Sequence, residues 1–233
     1  VRKRNLPFFS NMVNTMTVVN DYSVHFPQEI YEFHKQQGIV YMQFIPCVEN
    51  DPQNPCTAAS FSVSSTEYGI FLCRLFDLWK ADFCNGIPTT SIRFFDSAIL
   101  SYMNAPPEEC TFFEECDSYM VIEHNGDVYP CDFFVEHSHK LGNVHSNNLL
   151  EILHSDKQKK FGRSKKSLPA KCLKCPWLKQ CNGGCLKDRV RDLRDRGMNH
   201  FCEATKMFYQ YAHVDLKKLA EHFAKILNEK EYS

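Results

Sequence analysis

Eight cysteines between Cys110 and Cys202 hold the chemistry available to this sequence. They run Cys110, five residues, Cys116, fourteen residues, Cys131, and then Cys172, two, Cys175, five, Cys181, three, Cys185, sixteen, Cys202. Soft thiolate donors in this number make two sets of four. Four is what a 4Fe-4S cluster takes, one sulfur ligand per iron besides the bridging sulfides. Structural zinc accepts four cysteines as well. Zinc ribbons usually show two short knuckles, and here only Cys172 and Cys175 have that spacing; disulfides are the third alternative. The glycines of Cys181-Asn182-Gly183-Gly184-Cys185 permit a tight fold that turns amides toward anionic sulfur. Lys171, Lys174, Lys179, Lys187 and Arg189 stand close in sequence, ready to offset that charge and expected to lower the thiols' pKa. Cys47, Cys56, Cys73 and Cys84 fall outside the framework and read as ordinary core or surface thiols.

The elements that must position these residues change character near Ala105-Pro106-Pro107. Upstream, the β-branched run over residues 12–19, starting at Met12, reads as a buried strand. Residues 27–38 read as a helix, with Pro27 in its first turn, Ile30, Tyr31, Phe33 and His34 on one face, and Gly38 closing it. Residues 39–46 form a second strand. Ser65-Thr66-Glu67 caps a long helix reaching about Phe83, with Ile70, Phe71, Leu75, Phe76, Leu78 and Trp79 as its apolar face. Residues 90–95 make a third strand. Repeated strand and helix imply a parallel α/β architecture. Three units are too few to close an eight-stranded barrel, so the front of the barrel is expected to be missing.

Downstream, His124-Asn125-Gly126 between two short apolar runs signals a hairpin. The basic run from Lys157 to Lys166 reads as a solvated helix end rather than a nucleic-acid patch, since no aromatics interleave with it. Residues 203–227 close the chain as an amphipathic helix with Phe208, Tyr211, Leu216, Leu219, Phe223 and Ile226 facing inward. The expected division is 1–105, 106–202 and 203–233.

The bulk numbers agree with a folded chain. Of 233 residues, 43% are hydrophobic, enough for a core, and 27 basic residues nearly cancel 28 acidic ones. That balance gives no general reason to expect nucleic acid or an anionic membrane. No stretch is apolar for the roughly 18 residues of a membrane helix, and no signal-like run follows Val1. A cytoplasmic protein is expected, with its cysteines reduced for metal or redox work. The absent initiating Met fits the C-terminal part of a longer protein.

Tyr129-Pro130-Cys131-Asp132, Cys172 with Cys175, and Cys181-Asn182-Gly183-Gly184-Cys185 resemble the SPASM domain of radical S-adenosylmethionine (SAM) enzymes, above all the anaerobic sulfatase-maturating enzymes. The resemblance extends through Gln43-Phe44-Ile45-Pro46-Cys47-Val48-Glu49 upstream and Asn199-His200-Phe201-Cys202 downstream, over nearly the whole chain. It implies the C-terminal part of a partial (β/α) radical SAM barrel over residues 1–105, then a small SPASM domain with a β-hairpin and helices over 106–202 and a final helix over 203–233. It implies one auxiliary 4Fe-4S cluster on Cys110, Cys116, Cys131 and Cys185, and an outer one on Cys172, Cys175, Cys181 and Cys202. It further implies oxidation of a cysteine or serine of a sulfatase polypeptide to Cα-formylglycine, with Asp132 as catalytic base and a flavodoxin or ferredoxin as electron partner.

One departure bears on activity. The family's Cys-x-x-x-Cys-x-x-Cys, whose three thiolates hold the third 4Fe-4S cluster that cleaves S-adenosylmethionine, occurs nowhere here. Cys181 and Cys185 have the first spacing, but Asp188 stands at the third position. These residues are therefore expected to be inactive alone. Gln43 and Glu49 lie near the end of a barrel strand, where ligands bind in such folds, but core or loop roles suit them equally. Other readings are a different radical SAM peptide-modifying maturase, a zinc-stabilised peptide-binding module, and a natural truncated electron-transfer protein.

Overall fold

The computed structural model describes residues 13–54, 57–117, 119–189 and 197–231; Met12 and Cys56 lie outside them. The architecture is mixed α/β, in two units: Val1–Glu109 with His200–Ser233, and Cys110–Asn199.

In the first unit β1 (Asn14–Val19) runs parallel to β2 (Tyr41–Pro46), from Asn14 opposite Tyr41 to Val19 opposite Pro46. The crossover is α1 (Pro27–Gln36), opened by its proline and followed by Gly38 at φ +74°, where the chain turns back toward the sheet. β3 (Ser91–Ile92) adds to β2 in parallel. This strand is far shorter than the expected 90–95. From Arg93 the chain is helical as α3 (Arg93–Tyr102), because the buried residues Phe95, Ala98 and Ile99 recur at helical spacing.

The long helix α2 (Ser65–Ala81) is capped by Ser64, not Ser65: the Ser64 side chain accepts from the Glu67 amide. Its inward face is Tyr68, Phe71, Leu72, Leu75, Phe76 and Trp79, and Ile70 is exposed, as helical phasing from Phe71 requires. The C-terminal helix (Cys202–Glu231) buries Ala204, Phe208, Tyr209, Ala212 and Leu216. Tyr211, expected inward, is exposed and gives its hydroxyl to Asp77 at 2.5 Å. Gly69 lets α2 approach this helix, since a Cβ there would sit 2.9 Å from Met207 Sδ and 3.0 Å from Ala204 Cα. Phe76, Phe95 and Phe208 meet with ring centroids 5.2–5.5 Å apart, and Trp79 joins Phe95 at 5.3 Å while its indole N–H donates to the Thr90 carbonyl at 2.8 Å.

The second unit is built on small pieces. β4 (Val121–Ile122) and β5 (Asp127–Tyr129) form the expected antiparallel hairpin, its turn closed by Gly126 at φ +83°. A third strand, β6 (Gly142–Asn143), pairs with β5, and the Asn143 amide donates to Asn125 O and to Asp127 Oδ1, tying the turn down. Then come α4 (Leu149–Leu153), α5 (Asp156–Ser164), α6 (Ala170–Leu173), α7 (Leu178–Cys181) and α8 (Leu186–Arg189). Asn148 and Ser155 cap the first two. Among the described residues no helix is long and apolar enough to cross a membrane.

Candidate iron–sulfur site

Seven of the eight framework cysteines belong to the second unit, each placed by a short element. Cys110 starts the 3-10 turn Cys110–Phe112. The Cys116 amide donates to Gly162 O of α5 at 3.2 Å, and a Cβ on Gly162 would meet Asp117 Cβ at 2.8 Å. Backbone contact with the Cys116 loop therefore requires glycine there. Cys131 precedes the 3-10 turn Asp132–Phe134, directly after β5. Cys172 lies in α6, its thiol 3.9 Å from Met198 Sδ, and the Cys175 amide returns to Cys172 O.

Between Cys181 and Cys185 the chain passes through Asn182, Gly183 and Gly184 at φ +47°, +73° and +65°. Three successive left-handed residues reverse the backbone, which glycine does without strain. The Gly183 amide faces Cys181 sulfur and the Lys187 amide faces Cys185 sulfur. The Asn182 amide group donates to Phe112 O at 2.8 Å, joining this turn to the one that carries Cys110. Cys202, the eighth cysteine, opens the C-terminal helix in the other unit.

None of the described cysteines is in a disulfide. No three His, Cys, Asp or Glu side chains among the described residues converge on one point as a single bound ion requires. The donor set suits iron–sulfur ligation: sulfur alone, on glycine-relieved turns, with backbone amides aimed at sulfur. The cations were expected to lower the thiols' pKa, but the structure shows the reverse. Burial pushes Cys131 up to about 11 and Cys185 up to about 12, and Cys116 and Cys181 also rise, because desolvation outweighs the hydrogen bonds and positive charges that favour the thiolates. Of the expected cations, Lys187 and Arg189 are buried, whereas Lys171, Lys174 and Lys179 are exposed. Lys165, read from sequence as part of a solvated helix end, is fully buried.

Asp132 is exposed, as a base that meets substrate must be. Tyr119 donates to Asp132 Oδ1 at 2.9 Å, and the same hydroxyl lies 3.3 Å from Cys131 Sγ. Burial and the neighbouring Cys131 and Asp132 hold the Tyr119 phenol well above its usual range, so it stays protonated and donates. Sequence reasoning missed Tyr119, for no spacing rule links a tyrosine to an acid thirteen residues on. Gln43 Oε1, in the other unit, accepts from Arg93 at 3.3 Å and so plays a local packing role.

Comparison with known proteins favours iron–sulfur chemistry for this region. Residues 110–176 match the SPASM domain, an iron–sulfur cluster-binding domain. The chain is 38% identical over 214 residues to a serine-type anaerobic sulfatase-maturating enzyme of Bacteroides thetaiotaomicron, covering 85% of this chain and 50% of that protein. It is 34% identical over 200 residues to a cysteine-type enzyme of Clostridium novyi, covering 84% and 52%. The chain is related to the anaerobic sulfatase-maturating enzymes. A solved structure, native anSMEcpe with bound AdoMet and Cp18Cys peptide, superposes with a TM-score of 0.79 at 29% identity over 90% of this chain and 58% of that one. The chain thus spans about half the length of the curated sulfatase-maturating relatives it matches, and it corresponds to their C-terminal portion.

Proposed function

We propose that this chain is the cluster-bearing portion of a radical SAM sulfatase-maturating enzyme, an oxidoreductase that converts a cysteine or serine side chain of a sulfatase to Cα-formylglycine. The observation that carries this reading is the exposed carboxylate of Asp132, adjacent to Cys131 and bound through one oxygen by Tyr119.

One 4Fe-4S cluster is assigned to Cys110, Cys116, Cys131 and Cys185. The other is assigned to Cys172, Cys175, Cys181 and Cys202, both sets being those the resemblance implies. When bound, such a cluster supplies a one-electron acceptor. In the proposed oxidation the substrate side chain loses a hydrogen atom from Cβ, a proton from its thiol or hydroxyl, and one electron; serine gives the C=O of formylglycine directly, whereas cysteine gives a C=S bond that water hydrolyses to C=O with release of hydrogen sulfide. Asp132 takes the proton. Tyr119 occupies Oδ1, so Oδ2, which has no hydrogen-bond partner among the described residues, is the accepting atom. Tyr119 also fixes the carboxylate's orientation, which a lone exposed Asp would lose to rotation.

S-adenosylmethionine and the third cluster act in the complete enzyme. These 233 residues contain no Cys-x-x-x-Cys-x-x-Cys, and we assign them the cluster and proton roles rather than radical generation. An external flavodoxin or ferredoxin completes the electron path, and a cytoplasmic setting suits the free thiols. In the complete enzyme, Asp132→Asn should abolish formylglycine in a sulfatase peptide, read by mass spectrometry, with iron and sulfide equal to wild type. Near-normal product would remove Asp132 from the mechanism.

A further inference from the structure

The second unit contains two buried cations that neither its fold nor the proposed proton transfer accounts for. Lys165, just after α5, is 0% exposed, and its ammonium group donates to Cys110 O at 3.1 Å, Thr111 O at 2.9 Å and Phe113 O. Arg189, at the end of α8, is 4% exposed. Its guanidinium donates to Gly183 O at 2.8 Å, Lys165 O at 2.5 Å, Asn182 O at 2.6 Å and Gly184 O at 3.4 Å.

All of these acceptors are neutral carbonyls. Among the described residues no carboxylate lies within ion-pair distance of either cation. The buried acid nearby, Asp188, pairs with Lys187 at 2.9 Å. A buried charge costs several kcal/mol after relaxation, and carbonyl dipoles recover only part of that. Two such charges side by side also repel. Among the described residues, two buried positive charges therefore stand without a carboxylate to balance them.

The ionisable groups facing them are the framework cysteines. Lys165 grips the Cys110 carbonyl, and Arg189 grips the Asn182, Gly183 and Gly184 carbonyls of the turn between Cys181 and Cys185. A 4Fe-4S core on four thiolates is a net dianion when oxidised and a trianion when reduced by one electron. Positive charge held in a poorly hydrated interior favours both, and the reduced form more.

We propose that Lys165 and Arg189 are the built-in counter-charges of the clusters held by these cysteines, raising the clusters' reduction potentials as well as pinning the turns that carry the ligands. This rests on the cluster assignment above. It also explains why the cations clamp those turns through carbonyls, which leaves their charge unneutralised until a cluster binds.

The test uses the whole chain reconstituted anaerobically with iron and sulfide, with metal analysis and a redox titration followed by EPR. Wild type, Lys165→Met and Lys165→Arg are compared. At a fixed poise the ratio of reduced to oxidised cluster should fall at least tenfold in Lys165→Met, a shift of about 59 mV for one electron. Lys165→Arg should stay within about threefold of wild type, since it keeps the charge. Equal potentials in iron-loaded Lys165→Met and wild type would overturn the proposal and leave Lys165 a turn clamp. If Lys165→Met loses its iron while Lys165→Arg keeps it, the potential is read on Arg189→Gln against Arg189→Lys, and equality there overturns it. Loss of iron from both Lys165 variants also overturns it. Absence of iron and sulfide from the wild-type chain would overturn the cluster assignment and this inference together, which separates that failure from the others.

Discussion

Asp96 should make this protein lose stability as pH rises from about 4 to about 7, and Asp96→Asn should remove most of that loss. The carboxyl sits in the first turn of α3, where Ser91 Oγ donates to it at 2.5 Å. Burial raises its pKa to about 7, with the Glu108 charge adding to the rise and the Ser91 bond opposing it. An unfolded Asp titrates near 3.9. The folded state therefore holds the extra proton between these values, and stability falls with rising pH across that window. The loss is absent below the unfolded pKa and complete above the folded one. At about 1.4 kcal/mol per pKa unit the full term is at most about 4 kcal/mol, of which about 2.5 kcal/mol falls between pH 5 and pH 8. For a chain of this size that is a melting shift on the order of 5–10 °C. Asparagine keeps an oxygen for the Ser91 hydroxyl but does not titrate. The assay is anaerobic thermal or urea unfolding of both proteins from pH 5 to pH 8, taking the difference between them so that histidines and thiols cancel. Asp96→Asn should gain on wild type by about 2.5 kcal/mol over that range. Parallel curves would refute the reasoning, showing that Asp96 is ionised and solvated in the folded state.

Two glycines give further tests. Gly69→Val puts branched carbon where even a Cβ meets Met207 Sδ at 2.9 Å and Ala204 Cα at 3.0 Å. The unfolding midpoint in urea should drop by the equivalent of about 1–3 kcal/mol with an unchanged slope. Gly183→Ala forces φ +73° on a residue with a side chain and drives its Cβ within 2.6 Å of Leu168 Cδ2 and into the Arg189 guanidinium. The left-handed backbone costs about 1–2 kcal/mol, and bound iron after reconstitution should fall well below wild type; full iron loading would show that the turn tolerates the shift.

Local patterns made the sheet and hairpin legible. The parallel pairing of β1 and β2 follows from two apolar runs separated by a helix with a proline start, and the hairpin follows from Asn125-Gly126. Residues 93–102 were harder. Arg93-Phe94-Phe95 reads as strand by composition, and only the further spacing to Ala98 and Ile99 shows a helix, so the switch from β3 to α3 within two residues went unseen. β6 is too short to carry a pattern at all. At the site, cysteine spacing exposed the donors because ligation demands them in number and kind. Lys165 was misread because five other basic residues surround it in sequence between Lys157 and Lys166, while its burial depends on carbonyls of Cys110, Thr111 and Phe113, more than fifty positions away.

That distance bears on how the cysteines come to be arranged. Spacing alone favours ligand sets taken in chain order, whereas the assigned sets interleave, with Cys185 joining the early cysteines. The structure brings the turn between Cys181 and Cys185 to the turn that starts at Cys110. Arg189 grips the carbonyls of Asn182, Gly183 and Gly184 and also Lys165 O, and Lys165 in turn grips the turn that starts at Cys110. Asn182 adds a bond to Phe112 O. These contacts are made entirely by backbone carbonyls and three side chains, so they can form before any metal binds. Thiols that burial keeps protonated must then release their protons as iron arrives. Folding would thus place the ligand-bearing turns first, and ligation would convert neutral thiols into anions beside the two buried cations.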